Sequence, residues 1–276
     1  MTLAIEKSET LNPQTHYPLT EEQKQFFRRE GYIKLKNVLN AETLAYYGKE
    51  ITRHVLEQTK DIAPLEQRGT YGKAFLQVSN IWETNPIAKE FAFNKRLARI
   101  AAELMGVSGV RMFHDQALYK EPGGGITPWH ADQYYWPVDT DNTVTAWIPL
   151  QATPLELGPL FFCAGSQKYE FGRDLEISDA SEQTLSQALK DQGRMVEEPF
   201  DLGEVSFHYG WTFHRAGPNT SDRPRNVMTV IYVDENAKVA EPRNKAQESD
   251  LKRWLPGLKP GDLVDSPINP VIWSSK

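Results

Sequence analysis

The sequence predicts a mainly β domain, a sandwich or barrel, with helices packed on its outside. After Gly106, short runs in which apolar and polar residues alternate follow one another, separated by Gly and Pro. This pattern is typical of strands joined by turns. Before Gly106, apolar residues recur at helical spacing instead. With 276 residues, the chain is long enough to bury a core without disulfides.

Three helices are predicted in the first part of the chain. Thr20 and Gln23 have the spacing of a capping box at the start of the first helix, and Gly31 ends it. Asn40 caps the second helix, and the third stops at Gly106. The apolar faces of the second and third helices are Leu44, Tyr47, Ile51 and Val55, and Leu97, Ile100, Ala101 and Leu104, respectively.

The predicted strands lie mostly in the middle of the chain. They are residues 32–38, 110–120, 143–150, 160–163, 204–209 and 225–233. We therefore interpret residues 1–276 as one domain with four parts. These are a polar tail (1–18), a helical flank (19–106), a β core (107–235) and an extended, proline-bearing C-terminal segment (236–276).

The composition narrows the classes of partner. A formal net charge of −6 disfavours nucleic acid and anionic membranes, since both select basic surfaces. No run of 18 apolar residues exists, and the N-terminus lacks the apolar core of a signal peptide, so we expect a cytoplasmic protein. The single cysteine, Cys163, cannot form an internal disulfide or a thiolate metal cluster. A small-molecule substrate is the expected partner, and the oligomeric state stays open.

Three residues have the spacing of an iron site. His130 and Asp132 form an HxD pair, and on a strand such a pair points to one face. His214 follows far downstream, and two histidines with one carboxylate are the facial triad of non-haem Fe(II) oxygenases. His208 is a rival to His214, but Gly210 is expected to break the strand between them, and we favour His214 because Arg225 follows it by 11 residues.

Arg225 is the candidate anchor for an organic anion. It begins an alternating run in which Val227, Thr229 and Ile231 share its face. An inward arginine is costly to bury unless it meets an anion, and its planar fork matches a carboxylate. The distal carboxylate of 2-oxoglutarate is the expected partner. Arg223, two residues earlier, competes for this role.

Taken together, these residues resemble the phytanoyl-CoA dioxygenase family of Fe(II)/2-oxoglutarate oxygenases. The resemblance extends over most of the chain. Its motifs are LTEEQKQFFRREGYIKLKNVL, HDQALYKEPGGG, TAWIPLQ, GPLFFCAGSQ and HRAGPNTSDRPR.

The resemblance implies a double-stranded β-helix, that is, a jelly-roll or cupin-like core with the N-terminal helices outside. It also implies Fe(II), 2-oxoglutarate and dioxygen as reactants, with His130, Asp132 and His214 as metal ligands and catalytic residues. Arg225 and Trp147 would contact 2-oxoglutarate. Oxidation of a small organic substrate, most simply its hydroxylation, would release succinate and CO2.

Four positions depart from the pattern that the resemblance implies. Ala131 replaces a usual Gln, Leu157 an Asn, Gln167 a His and Ala216 a Ser. None of them is a triad residue, so they leave the metal prediction intact and the substrate open.

Candidate substrate residues lie beside the triad and in an earlier segment. Tyr134, Tyr135 and Trp136 follow Asp132 directly, and each packs either in the core or against the substrate. Gln77 and Asn80 are polar candidates that would serve equally well as turn or capping residues.

Other functions remain as alternatives. A related halogenase would carry a small residue in place of Asp132, so we exclude it. A jelly-roll binding protein or pseudoenzyme would keep the pocket without turnover. A metal-dependent isomerase would leave Arg225 with no co-substrate to hold.

Overall fold

A computed structural model describes residues 14–190 and 192–276. Its helices are α1 (Glu21–Glu30), α2 (Ala41–Gln58), α3 (Thr70–Ala74), α4 (Ile81–Thr84), α5 (Pro86–Ala92), α6 (Lys95–Met105), α7 (Asp179–Lys190) and α8 (Lys245–Trp254). Its strands are β1 (Tyr32–Leu35), β2 (Leu76–Ser79), β3 (Gly109–Lys120), β4 (Thr127–His130), β5 (Thr143–Pro149), β6 (Leu160–Ala164), β7 (Arg194–Glu197), β8 (Val205–Tyr209), β9 (His214–Ala216), β10 (Arg225–Asp234) and β11 (Val271–Ser274).

The predicted helix ends are confirmed. Thr20 and Gln23 form the capping box of α1, and Gly31 ends that helix in the left-handed conformation at φ 80°. Asn40 caps α2 through its side chain, and Gly106 ends α6 at φ 79°. Most of the predicted polar tail lies outside the described residues.

Two antiparallel sheets form the β core. The larger has the order β1-β8-β5-β10-β3-β11, and β2 pairs with β3 beside it. The smaller has the order β4-β9-β6-β7. Side chains of both sheets share one buried cluster, in which Trp147 and Val227 of the large sheet meet Leu160 and Phe162 of the small one. This is the predicted double-stranded β-helix.

Helices cover the outer face of the larger sheet. The apolar faces of α2 and α6 enter the same buried cluster as side chains of β3, β5, β8 and β10. The helical flank also supplies two strands to this sheet, since β1 pairs with β8 and β2 with β3. The inner face is therefore left for the site.

The C-terminal segment differs from the prediction of an extended chain. Residues between Pro242 and Pro256 form α8, which Asn244 caps by accepting a hydrogen bond from the backbone of Gln247. The prolines flank this helix and do not interrupt it. The prediction of an extended chain here, which rested on these prolines, is therefore wrong. Strand β11 then pairs with β3. Helix α7, within the predicted β core, was also not predicted.

Among the described residues, no helix is both long and apolar enough to cross a membrane.

Candidate active site

The triad residues meet where β4 and β9 run side by side. His130 ends β4 and lies opposite His214 in the antiparallel register, with ring centroids 4.2 Å apart. Asp132 begins a short 3-10 turn rather than continuing the strand as predicted. Ala131 is still extended, at φ −121° and ψ 127°, so the carboxylate comes to lie beside His130. The predicted HxD geometry is thus reached without a continuous strand.

Backbone carbonyls fix both histidine rings for metal binding. Nδ1 of His130 donates to the carbonyl oxygen of Pro128 at 2.8 Å. Nδ1 of His214 donates to that of Thr212 at 3.0 Å. A carbonyl oxygen can only accept, so each ring carries its proton on Nδ1. Nε2 of each ring is left with a lone pair for a metal ion.

The two carboxylate oxygens of Asp132 have different neighbours. Oδ1 lies 3.5 Å from Nε2 of His130 and 3.7 Å from Nε2 of His214. Oδ2 accepts a hydrogen bond from Thr145 Oγ1 at 2.8 Å. Burial alone would raise the pKa of Asp132, but the imidazoles, with His214 foremost, hold it well below its usual value. The carboxylate is therefore ionised and oriented for a cation.

One ligand atom from each of His130, Asp132 and His214 lies within 4.8 Å of the others, a spacing compatible with one bound ion. Two imidazoles and a carboxylate suit Fe(II). The predicted metal set is thus assembled from β4, the turn after it and β9.

His208 lies next to this set without being part of it. It sits on β8 opposite Thr145, and only 1% of its surface is exposed. Its Nε2 lies 3.4 Å from Oδ2 of Asp132. Neither ring nitrogen makes a hydrogen bond to any of the described residues. From the sequence, His208 is only a rival ligand, whereas in the structure it is a neighbour of the Asp132 carboxylate.

Arg225 is a buried cation without a carboxylate partner in the described part of the chain. It begins β10 and is 2% exposed. Nη1 donates to the carbonyl oxygen of Gly158 at 2.5 Å, and Nε has no partner. Burial lowers the pKa of Arg225 to about 9. Its guanidinium carbon lies 5.5 Å from the ring centre of Trp147, and both side chains line the triad's cavity. Arg223 is exposed instead.

Lys120 is a second buried basic side chain, directly opposite Arg225 in the pairing of β3 with β10. It is 0% exposed, and Nζ donates to the carbonyl oxygens of Gly125 and Gly217 at 2.5 and 2.7 Å. Burial, and then repulsion from Arg225, lowers its pKa to about 6. A buried guanidinium beside a buried amine, with no carboxylate paired to either among the described residues, indicates a binding place for an organic anion.

A cavity of about 520 Å³ joins these groups. It reaches all three triad residues, Arg225 and Trp147, and three of the predicted substrate residues, Gln77, Tyr135 and Trp136. Seven further side chains of its wall were not predicted from the sequence as substrate residues, and they are Tyr71, His114, Gln116, Glu176, Asp250, Arg253 and Trp254.

Two predicted substrate residues are not part of this cavity. Tyr134 lines a separate surface depression instead. Asn80 ends β2 in the left-handed conformation at φ 47°. Its Nδ2 donates to Glu83 at 2.7 Å and its Oδ1 accepts from the backbone of Asp115 at 3.3 Å, so its role is to shape a turn.

Gln167 also serves the fold. Its amide nitrogen donates to the carbonyl oxygens of Arg28 and Arg29 at the end of α1, 3.2 Å from each. Ala216, by contrast, lines the cavity beside Arg225. Of these two departures from the expected pattern, only that at position 216 touches the site.

A double antiparallel sheet that carries a 2-His-1-carboxylate triad defines a non-haem Fe/2-oxoglutarate-dependent oxygenase. The sequence profile of the Phytanoyl-CoA dioxygenase (PhyH) family matches residues 27–227. The chain belongs to this family, whose members use Fe and 2-oxoglutarate, and the predicted family and cofactors are thereby confirmed.

Relatives and solved structures support this assignment. A Phytanoyl-CoA dioxygenase domain-containing protein 1 homolog of Caenorhabditis elegans is 26% identical over 178 residues, which are 60% of this chain and 61% of that protein. The match therefore spans less than two thirds of that relative. The carbocyclase SnoK of nogalamycin biosynthesis is 27% identical, with a TM-score of 0.74 over 92% of this chain and 96% of SnoK.

The epimerase SnoN, solved with Fe3+, alpha ketoglutarate and nogalamycin RO, shares the fold. Its TM-score is 0.75 at 24% identity, over 92% of this chain and 98% of SnoN.

Proposed function

We propose that this chain hydroxylates a small organic substrate, with 2-oxoglutarate and dioxygen consumed and succinate and CO2 released. One observation carries the proposal: Arg225, buried and without a carboxylate partner among the described residues, lines the same cavity as the triad. A dicarboxylate with one end on the metal and the other on Arg225 would fill open metal positions and pair the buried guanidinium.

Each residue has a separate task in this proposal. His130, Asp132 and His214 hold Fe(II), which when bound couples decarboxylation of the oxoacid to oxidation of the substrate by dioxygen. Arg225 binds the distal carboxylate of 2-oxoglutarate, and Trp147 packs along it. Thr145 keeps Oδ2 of Asp132 hydrogen-bonded, so that Oδ1 faces the metal position.

Hydroxylation is proposed because it requires no protein group beyond the triad and the anchor. SnoK is described as a carbocyclase and SnoN as an epimerase, so the same fold supports other outcomes. Epimerisation would additionally need a group that returns hydrogen to the opposite face of the substrate. The product itself distinguishes these reactions, since only hydroxylation adds one oxygen atom to the substrate.

The test is 2-oxoglutarate-dependent oxygen uptake and succinate release by the protein loaded with Fe(II). Asp132→Ala is expected to abolish both, while Asp222→Ala, which removes an exposed carboxylate, should leave them unchanged. Binding of 2-oxoglutarate without any succinate release would instead indicate a pseudoenzyme. Substrate conversion without consumption of 2-oxoglutarate would indicate an isomerase.

A further inference from the structure

Four polar side chains on one wall of the cavity form a continuous hydrogen-bonded chain. Tyr71 donates from its hydroxyl to Oε1 of Gln77 at 3.0 Å. Nε2 of Gln77 donates to Oε1 of Gln116 at 2.5 Å. Nε2 of Gln116 then contacts Nδ1 of His114 at 3.3 Å. All four residues line the cavity, and the chain ends on an imidazole.

The hydrogen bonds of this series all run in one direction, from Tyr71 towards His114. This direction sets which ring nitrogen of His114 carries the proton. A carboxamide nitrogen can only donate, so Nδ1 of His114 must accept from Gln116. A ring that accepts at Nδ1 carries its proton at Nε2. Among the described residues, no other side chain hydrogen-bonds this ring. Nε2–H of His114 is therefore a donor that the protein's own side chains do not use.

Aromatic neighbours hold the imidazole in place. The ring of His114 stacks on Trp254 with centroids 4.5 Å apart and an interplanar angle of 26°. Its edge contact with Trp136 has a centroid distance of 6.4 Å and an angle of 77°. Burial lowers the pKa of His114 to about 3, which keeps the ring neutral at ordinary pH. A fixed, neutral N–H can donate to an acceptor oxygen of a bound molecule.

The remaining wall favours an uncharged, ring-shaped ligand. Four aromatic side chains line the cavity, and they are Phe75, Tyr135, Trp136 and Trp254. Their rings can stack on a planar ring of a ligand. The carboxyl groups of Glu176 and Asp250 and the guanidinium of Arg253 also line the cavity, so this wall carries both signs of charge and offers no single-sign site to a charged ligand. A cation would find a weak counter-ion in Asp250, because burial raises its pKa to about 7.

We propose that His114, oriented by Gln116, Gln77 and Tyr71, donates its Nε2–H to an oxygen of the substrate, and that the substrate is an uncharged ring compound bearing a carbonyl or similar acceptor oxygen. The inference rests on the proposed function, since it names the substrate class of the same cavity. In this role His114 is a specificity-determining residue beside the metal site.

The first experiment needs no substrate. The protein is loaded with Zn(II) and 2-oxoglutarate, and the ¹⁵N resonances of its histidine rings are recorded. Wild type is expected to show His114 as the Nε2–H tautomer. Gln116→Glu replaces the donating amide by an accepting carboxylate, so the proton should move to Nδ1. An Nδ1–H tautomer or an imidazolium in wild type would overturn the proposal.

The second experiment measures binding of three matched probes by quenching of tryptophan fluorescence. The probes are 1-tetralone (a ring ketone), tetralin (its parent hydrocarbon) and 2-aminotetralin (an ammonium compound). The ketone is expected to bind roughly tenfold more tightly than the hydrocarbon, as for one net hydrogen bond. His114→Phe keeps a flat ring but should remove that preference. His114→Gln places an amide donor near the former Nε2 and should restore part of it.

Each outcome has a distinct meaning. Equal affinity for ketone and hydrocarbon, or a preference for the ammonium probe, would overturn the substrate class. A purely structural role of His114 would lower affinity for all three probes alike and would not be rescued by Gln, and this too would overturn the proposal. Failure of the proposed function is separate, because it would appear as absent succinate release in wild type, whatever the probes do.

Discussion

Nε2 of His208 lies 3.4 Å from Oδ2 of Asp132, the carboxylate oxygen that faces away from the other two imidazoles. Thr145, opposite His208 across the β5–β8 pair, donates to the same oxygen. Both ring nitrogens of His208 are otherwise without a partner among the described residues. Burying such groups is unfavourable for the fold, so the arrangement indicates a role in holding the ligand carboxylate.

His208→Phe should therefore affect metal binding much more than stability. We expect Fe(II) affinity to fall about 10- to 100-fold, as is typical when a neighbour of a metal ligand is lost. The metal-free variant should unfold at about the same temperature as wild type, because removal of two nitrogens without hydrogen bonds offsets loss of the contact with Asp132. Metal titration and thermal unfolding measure the two effects. His16→Phe, at an exposed histidine, is the control; a His208 variant with wild-type affinity would contradict this role.

Arg225→Ala should weaken 2-oxoglutarate binding by about one to three orders of magnitude. A charge-assisted hydrogen bond contributes about 1.5–3 kcal/mol, and each tenfold change in affinity is about 1.4 kcal/mol. Arg225→Lys keeps the charge but loses the planar fork, so it should recover only part of the loss.

The 2-oxoglutarate dependence of succinate release measures this effect. Arg223→Ala is the matched control, because Arg223 is exposed and two residues away. If the Arg223 variant were impaired and the Arg225 variant were not, the anchor would be the other arginine.

Binding of 2-oxoglutarate should become tighter as the pH falls from about 8 towards 6. Burial lowers the pKa of Lys120 to about 6, so its amine is mostly neutral at pH 7 to 8 before binding. A dianion bound beside Arg225 favours the protonated amine, and binding therefore takes up a proton. Below the pKa of the free protein, the amine is already charged and the dependence should level off.

Calorimetry in buffers of different ionisation enthalpy measures this proton uptake. Lys120→Met should remove it, whereas Lys168→Met, at an exposed lysine, should not. Asp250, which lines the cavity, is a second group with a pKa in this range, since burial raises its pKa to about 7. Uptake that survives in Lys120→Met and disappears in Asp250→Asn would assign the proton to the carboxyl group instead.

Tyr135→Ala and Trp136→Ala should change substrate preference more than they change 2-oxoglutarate consumption without substrate. Both side chains line the cavity, and Tyr135 also accepts a hydrogen bond from the backbone of Ile177 at 3.0 Å. Tyr134→Ala is the matched control from the same turn, because Tyr134 lines a different depression. The measurement is the product profile of each variant with a panel of substrates, compared with its 2-oxoglutarate consumption without substrate. An effect confined to Tyr134 would place the substrate elsewhere.

Residues whose role depends on local pattern were predictable from the sequence. His130 and Asp132 are two residues apart, and Arg225 begins a run in which Val227, Thr229 and Ile231 share its face, so their spacing made them candidates. His214 was chosen over His208 because of its distance from Arg225, and the structure places His214 in the candidate metal set.

The substrate wall could not be predicted in the same way. Its residues come from α3, β2, β3 and α8, which meet only through tertiary packing. His114 has no motif around it, and its importance lies in the hydrogen-bonded chain from Gln116. Trp254 belongs to a segment whose prolines predicted extended chain, so nothing in the sequence linked it to the site.

Helix α8 places Asp250, Arg253 and Trp254 in the cavity from the far end of the chain, whereas the triad and Arg225 lie between residues 130 and 225. Part of the cavity wall is therefore encoded outside the stretch of sequence that carries the triad and Arg225. Exchanging residues 236–276 for those of a related oxygenase would transplant part of the substrate wall and leave the iron-binding side chains untouched. Such chimaeras offer a route to retargeting the enzyme, and the same arrangement would let evolution alter its selectivity through one terminal segment.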